Sequence, residues 1–307
     1  LPAGCGMISS TEAPVNRKAL SSLLMFLFAL VSLSAEQPTR LQHIRGGLSL
    51  LITPECNDVV LEGDDGLLPV DTPMKEFFKE AEAALSSLPH HRVRLVVNTH
   101  FHWDHTDGNP LYGSQGVVII ARPETRELLT KEHMFGTRRQ APSPAEGLPM
   151  VLVTSPTEFL FAGQRVVLLP FPGGHGSDDM ALLFPDLKVI HLGDLLYPSP
   201  FPLTPKTLES YLVRFGKSFI DGQPPETIYL SSHDLPWSRQ EIIDLHTSLS
   251  RLLRRAKQLR NSGVKGEKLL NKLLSFRESL PAPDRDGASS PTGWCRLLAR
   301  LMGADRT

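Results

Sequence analysis

The chain has 307 residues, 41% of them hydrophobic, with 32 lysines and arginines against 33 aspartates and glutamates, for a formal net charge of -1. That length and composition bury a sizeable core, as one large domain or two ordinary ones. So even a balance of charge excludes nucleic acid or an anionic membrane as the main partner, and it leaves the substrate undefined.

The first forty residues differ from the rest. Arg17 and Lys18 precede an apolar run over residues 19–35, which ends in small residues before Glu36. A positive start, a short apolar stretch and small residues at its end predict a secretory signal peptide cleaved near Ala35. The run is shorter than the roughly 20 residues that cross a bilayer, and an uncleaved signal anchor is the alternative. The expectation is therefore a secreted or periplasmic protein without stable membrane association after cleavage, or else a membrane-anchored one. Residues 1–6 precede Met7 and are set aside as upstream sequence. Cys5 would leave with the signal, and Cys56 and Cys295 remain. Export permits a disulfide between them, but two distant thiols do not make a framework, and the sequence leaves their pairing open.

From Leu48 the chain reads as short apolar runs divided by turn residues: "SLLIT", "DVVLE" and, after the Asp64-Asp65-Gly66 turn, "GLLPVD". Asp71-Thr72-Pro73 offers a helix start, and residues 74–88 have helical composition with apolar residues near a 3.6 period. A buried strand is predicted over 93–98, then a short helix, a strand over 117–121 and a helix from Pro123. Residues 138–149 read as a Pro-rich surface loop. "TEFLFAGQRVVLLPF" predicts a hairpin turning at Ala162-Gly163, and "DMALLFPDLKVIHLGD" a second one. Thr204-Pro205 opens a helix, "TIYLSS" is read as the last strand, and Ser238 with Glu241 forms a capping box before a helix to about Arg260. A further helix is predicted over 266–277, followed by a mobile Pro/Asp/Gly/Ser-rich segment over 280–292. The boundaries expected are 1–35 for upstream residues and signal, 36–260 for the main domain, and 261–307 for a helical extension. Two strand-rich blocks, each followed by helix, predict an α/β (α+β) architecture of two packed sheets with outer helices.

The stretch "NTHFHWDHTDGN" places His100, His102, Asp104 and His105 within six consecutive positions of a chain that has 11 histidines in all. A core strand could not easily satisfy so many polar groups, so metal ligation is the leading reading. Alternation sends His100 and His102 to one side, and the turn that follows aims Asp104 and His105 at a neighbouring position. Three later strand ends each carry a candidate: His175 in "PGGHGSDD", Asp194 in "HLGDLLY" and His233 in "LSSHDLP". Nitrogen and carboxylate donors fit zinc best, with manganese or iron as alternatives. His191 reads as a core histidine, and His43, His90, His91, His133 and His246 read as surface residues. Tyr197 is a weak candidate for substrate binding as an oxyanion donor.

"THFHWDH" matches the H-x-H-x-D-H signature of the metallo-β-lactamase superfamily, and His175, Asp194 and His233 follow in the order and contexts of its remaining ligands. "EGDDGLLPVDT" resembles its opening hairpin, with Asp71 ending a strand beside the site. The similarity covers roughly residues 41–260 and is nearest to the exported hydrolase branch. It implies an αββα sandwich, with one ion on His100, His102 and His175, a second on Asp104, His105 and His233, and Asp194 bridging both. Gly176 and Asp178 after the third histidine, and Ser232 and Asp234 around the last, depart from the family pattern and bear on the residues that orient the ligands.

The resemblance implies a metal-dependent hydrolase. Two ions roughly 3.5–4 Å apart hold a hydroxide, bring its pKa near 7 and polarise the substrate carbonyl. Asp104, besides ligating, would orient that hydroxide as the catalytic residue. The reaction expected is hydrolysis of an ester, lactone, thioester or amide of the β-lactam type in a small-molecule substrate. The alternatives are an oxidoreductase like a mononuclear iron persulfide dioxygenase, and a non-catalytic metal-binding protein. His102 argues against a flavo-diiron enzyme, which would want glutamate there. No counterpart of the glutathione-binding segment of a glyoxalase II is found, nor the extra domain and basic cleft of a nucleic-acid-processing member. Substrate choice is expected to lie in residues 138–149 and 197–204, and the oligomeric state is left open.

Overall fold

The computed structural model describes residues 39–196, 205–281 and 291–302. The apolar run at 19–35, Tyr197 with the segment to Thr204, and residues 282–290 lie outside them. No helix among the described residues is long and apolar enough to cross a membrane.

Period-2 alternation builds the first sheet. Strands β1 (Arg40–Arg45), β2 (Leu48–Ile52), β3 (Asn57–Gly63) and β4 (Gly66–Val70) run antiparallel in sequence order. Strands β5 (Leu95–Val97), β6 (Val118–Ala121) and β9 (Val151–Leu152) then continue the sheet in parallel. On β3, Val59 and Leu61 point to the interior shared with the second sheet, while Val60 points out beneath helix α1 (Phe78–Leu85) with its Ala81 and Leu85. Both faces of the central strands are thus covered, which is why β2 and β4 are buried at every position and, Ser49 apart, apolar.

The second sheet comprises β10 (Thr157–Phe161), β11 (Gln164–Pro170), β12 (Met180–Phe184), β13 (Val189–His191), β14 (Ile228–Ser231) and β15 (Asp234–Ser238), in that order. On β12, Met180, Leu182 and Phe184 face the first sheet, while Ala181 faces the helical layer. That layer consists of α5 (Pro205–Phe215), α6 (Arg239–Asn261), α7 (Gly266–Arg277) and α8 (Pro291–Leu301). The capping box of Ser238 and Glu241 starts α6, and Leu245, Leu249, Leu252 and Ala256 form its buried stripe. The result is the αββα sandwich.

Several elements differ from the sequence reading. The first helix begins at Phe78, four residues later than expected. Residues 138–149 are not a simple loop: β8 (Arg138–Gln140) pairs with β7 (His133–Phe135) in a short hairpin, followed by a 3-10 turn at Ala145–Gly147. Strand β15 follows the strand that was read as last, and α8 begins at Pro291, inside the segment expected to be mobile. His133 and His246 are half-buried rather than on the surface, each with a ring nitrogen 2.8 Å from a backbone carbonyl, of Leu128 and Leu212 respectively. Cys56 and Cys295 are free, buried thiols; Cys295 packs in the helical layer against the Leu273 carbonyl.

Candidate metal centre

Four strands of the two sheets end at one edge, and the loops that leave them carry the polar side chains, as in other α/β sheets whose sites lie beyond the strand C-termini. Parallel β13 and β14 pair His191 with Leu230, and three residues beyond each lie Asp194 and His233. The equal offset brings the two together: His233 Nε2 is 3.2 Å from Asp194 Oδ2. Gly193 makes the turn before Asp194 with φ +52, and a Cβ there would meet the Thr99 side chain at 3.0 Å. On the first sheet, β4 and β5 pair Val70 with Val97, so Asp71 emerges beside the stretch from Asn98 to His105. Asn98 and Asn109 exchange side-chain hydrogen bonds of 3.1 and 2.9 Å that close the loop, and Asn98 also donates to the His105 carbonyl.

The donors form two groups. One holds His100, His102, His175 and Asp194; the other holds Cys56, Asp104, His105 and His233; within each, the donor atoms lie within 4.8 Å of one another. In the first, His102 Nδ1 is 2.9 Å from His100 Nε2 and 3.1 Å from His175 Nε2. Asp194 stands between the groups. Its Oδ2 is 3.5 Å from His175 Nε2, 3.9 Å from His100 Nε2 and 3.2 Å from His233 Nε2, and its Oδ1 is 3.5 Å from His105 Nε2. Asp104 Oδ2 lies 3.2 Å from His233 Nε2 and 3.4 Å from His105 Nε2.

A single buried carboxylate orients two of these rings. Asp71 Oδ2 accepts from the Thr99 hydroxyl at 2.7 Å and from His105 Nδ1 at 2.9 Å. With its proton committed to Asp71, the Thr99 oxygen accepts from His100 Nδ1 at 3.1 Å. Both imidazoles therefore carry hydrogen on Nδ1 and turn Nε2 to the centre, the orientation that ligating histidines take. Asp71 itself adopts φ +68, a conformation that aspartate tolerates better than most side chains. His233 Nδ1 is 3.0 Å from the Glu55 carbonyl, to which it can only donate, so its Nε2 faces the carboxylates. His175 rides on a loop organised by Asp179, whose carboxylate accepts from the backbone N–H groups of Gly174, His175 and Gly176 at 2.8–3.0 Å.

The electrostatics split the same way. Burial, then the neighbouring His175, holds His102 down at about 3, and burial with the adjacent imidazoles holds His100 well below its ordinary value, so both are neutral donors. Burial would raise Asp194, but His233, His105 and His175 outweigh it and keep the carboxyl ionised. Burial likewise works against Asp104, and His105 and His233 hold it below the usual carboxylate range. Behind the second group lies Asp58, fully buried with neither oxygen hydrogen-bonded; burial and the Asp71 charge push it well up.

All seven residues expected from the sequence converge here. Tyr197 lies outside the described residues. His191 is buried in β13 and belongs to neither group. The sequence reading missed Cys56, Asp179 and Thr99. Two of the departures from the family pattern find partners: Gly176 donates to Asp179, and Asp178 accepts from the Thr125 hydroxyl at 2.9 Å.

Beside the first group the β7–β8 hairpin supplies an apolar wall. The Phe135 ring is 4.8 Å from His102 and 4.7 Å from Trp103, and Arg138 lies 5.0 Å over the Trp103 ring.

An αββα sandwich with histidine and aspartate donors gathered at one edge of its two sheets defines a class of metal-binding fold. The chain belongs to the metallo-beta-lactamase superfamily, whose sequence profile it matches over residues 53–254. It is 25% identical over 169 residues to the 2,4-dinitroanisole O-demethylase subunit alpha of Nocardioides sp. (strain JS1661), an alignment covering 52% of this chain and 47% of that one. The chain thus spans about half the length of that curated relative. Among solved structures it resembles a metallo-beta-lactamase from Pontibacter korlensis (TM-score 0.53, 18% identity), covering 68% of this chain and 96% of that one. It also resembles the sec-alkylsulfatase Pisa1 from Pseudomonas sp. (TM-score 0.58, 16% identity), covering 87% of this chain and 49% of that one. At these identities the likeness is one of fold.

Proposed function

We propose that the protein is a metal-dependent hydrolase working through two adjacent divalent ions, zinc being the first choice. One observation carries this reading: Asp194 lies between two complete donor groups, with one oxygen toward His100, His175 and His233 and the other toward His105.

The residues suit such ions. His105 Nε2 and Asp194 Oδ1 are buried without a hydrogen-bond partner and sit 3.5 Å apart, an arrangement that costs free energy unless a cation joins them. Tetrahedral donors about 2.0–2.2 Å from one ion stand roughly 3.3–3.6 Å apart, close to the spacings of the first group. His100, His102 and His175 would hold one ion, Asp104, His105 and His233 the other, and Asp194 both. Bound there, the ions would lower the pKa of water toward 7 and polarise the bond under attack.

The chain's own residues do the rest. Asp104 would position the attacking water and take its proton. Asp71 fixes the tautomers of His100 and His105. His233, whose side chain is 23% exposed against 4% for Asp194, marks the side from which substrate arrives. Phe135 and Trp103 would seat an apolar group of that substrate. The reaction proposed is hydrolysis of an ester, lactone, thioester or amide bond. The sulfate ester and aryl ether named for the sec-alkylsulfatase and the O-demethylase belong in the same trial. The mononuclear oxidoreductase reading has no use for a second complete donor group beside the first.

The test is elemental analysis of purified protein followed by a panel of esters, lactones, thioesters, β-lactams and alkyl sulfates. About two ions per chain and turnover that disappears in His100→Ala, with the fold kept, is the expected result. Full turnover in His100→Ala with unchanged metal content would overturn the assignment.

A further inference from the structure

We propose that Cys56 is a thiolate ligand of the second ion, which makes the two halves of the centre chemically unequal: three imidazoles on one side, two imidazoles, a carboxylate and a sulfur on the other, with Asp194 shared between them. The inference rests on the two-ion reading above and deepens it.

The sulfur is in place. Cys56 Sγ and donor atoms of Asp104, His105 and His233 all lie within 4.8 Å of one another, and Cys56 is only 2% exposed. Independently of the cysteine, His105 Nε2 in the same group is fully buried and has no hydrogen-bond partner, so the group already lacks something at its middle. One ion with bonds of about 2.0–2.1 Å to nitrogen and about 2.3 Å to sulfur sets its donors roughly 3.3–3.6 Å apart. Filling the group therefore asks its widest-spaced atoms to close by no more than about 1.5 Å.

The backbone around Cys56 is held from both sheets. Cys56 lies in the turn between β2 and β3, where the Thr53 hydroxyl donates to the Cys56 carbonyl at 2.7 Å and accepts from the Cys56 N–H at 3.2 Å. On either side, the same turn clasps the loop that carries His233. The Asn57 N–H donates to the Ser232 carbonyl at 2.7 Å, the Asn57 side chain donates to the Asp234 carbonyl at 3.1 Å, and the Glu55 carbonyl accepts from His233. Cys56 and His233, distant in sequence and on different sheets, are thus fixed to one another before any ion arrives, the pre-organisation a ligand pair needs.

The chemistry follows. An ion entering the group forms the metal–sulfur bond and displaces the thiol proton to solvent, with no redox change. A thiolate adds one negative charge beside two dications that otherwise share Asp104 and Asp194. It also makes the second position the softer one, favouring zinc, cobalt or cadmium over manganese and magnesium.

Stepwise cobalt(II) loading of metal-free protein, followed by absorbance, tests this. Visible d–d bands report any bound cobalt, and a near-ultraviolet sulfur-to-cobalt charge-transfer band reports thiolate ligation alone. The expected result is d–d intensity with both equivalents and a charge-transfer band with the one that fills the second group. Cys56→Ser should keep the d–d bands of the first ion, lose the charge-transfer band and bind the second ion more than about tenfold more weakly, since even the loss of an outer partner costs 10–100-fold. Cys295→Ala should keep the band. Two equivalents of cobalt without charge transfer in the unaltered chain would overturn the thiolate and leave the two-ion reading standing. No cobalt bands at all would overturn both. If Cys56→Ser does not fold, the spectrum of the unaltered chain still decides.

Discussion

His105 Nδ1 lies 2.9 Å from Asp71 Oδ2, and neither side chain is reached by solvent. The contact fixes more than one ring, because the same oxygen takes the Thr99 proton and so makes Thr99 the acceptor for His100. Asp71→Asn exchanges one acceptor oxygen for a donor nitrogen. Whichever way the amide turns, it meets N–H or O–H groups that also donate. His105 is then expected to move its proton to Nε2, where the ion should bind. Metal affinity should fall about 10–100-fold, and stability by about 1.5–3 kcal/mol from the lost charge-assisted bonds. Competition with a chelator of known affinity and urea denaturation measure the two effects. A variant with unaltered affinity would show that Asp71 orients nothing.

This network also shows where the sequence is readable. His100, His102, Asp104 and His105 stand out because local chain geometry alone brings them together, and Asp194 and His233 because a strand end presents whatever follows it. Cys56 and Asp179 act through a pairing of turns and a curled loop that no local pattern records. Among the elements, β15 is hidden by Pro236, which a strand tolerates here because β15 is the edge of its sheet. The β7–β8 hairpin has three residues a side, too few for alternation to register. Helix α8 follows a Gly/Ser/Pro-rich stretch whose composition outweighs the amphipathic run behind it. The runs β2 to β4 and β12 to β13 are legible because burial dictates most of their residues, and the less buried β10 and β11 because Ala162-Gly163 marks the turn between them.

Asp179→Ala tests the loop that carries His175. It strands three backbone N–H groups in a buried turn, and each unsatisfied group costs about 1–3 kcal/mol, so a total loss of about 3 kcal/mol is expected after relaxation. The ion on His100, His102 and His175 should weaken, while the group containing His105 and His233 keeps its own. Calorimetric metal titration separates the two steps; equal weakening of both would mean that Asp179 supports the whole edge rather than one loop.

Phe135 lies at the tip of its hairpin, half-buried against His102 and Trp103. Phe135→Ala should cost about 1–2 kcal/mol of stability, less than the roughly 3–5 for a fully buried ring. For a substrate with an apolar group it should raise KM about 5–10-fold with kcat nearly kept, because the contact is made equally in ground and transition states. A matched pair of polar and apolar substrates from the hydrolase panel supplies the comparison. A fall in kcat with KM unchanged would place Phe135 in the chemistry instead of at the wall.

Asp194 and His233 give the sharpest contrast, since only Asp194 reaches both donor groups. In Asp194→Ala two cations lose the carboxylate between them, their mutual repulsion rises, and the neutral donors left on the first side cannot offset it. Bound metal should fall from about two ions per chain toward one or none, with loss of turnover. His233→Ala removes one nitrogen from the second group alone. It should spare the ion on His100, His102 and His175 and lower occupancy to about one. Both variants should fold, because neither side chain contributes apolar volume to the core between the sheets. Elemental analysis after dialysis against a fixed metal buffer gives the stoichiometry, and thermal melting with and without added zinc gives the linked stability, which rises with ligand only where a site remains. Two ions per chain and full turnover in Asp194→Ala would remove the bridge and reduce Asp194 to a turn residue after β13.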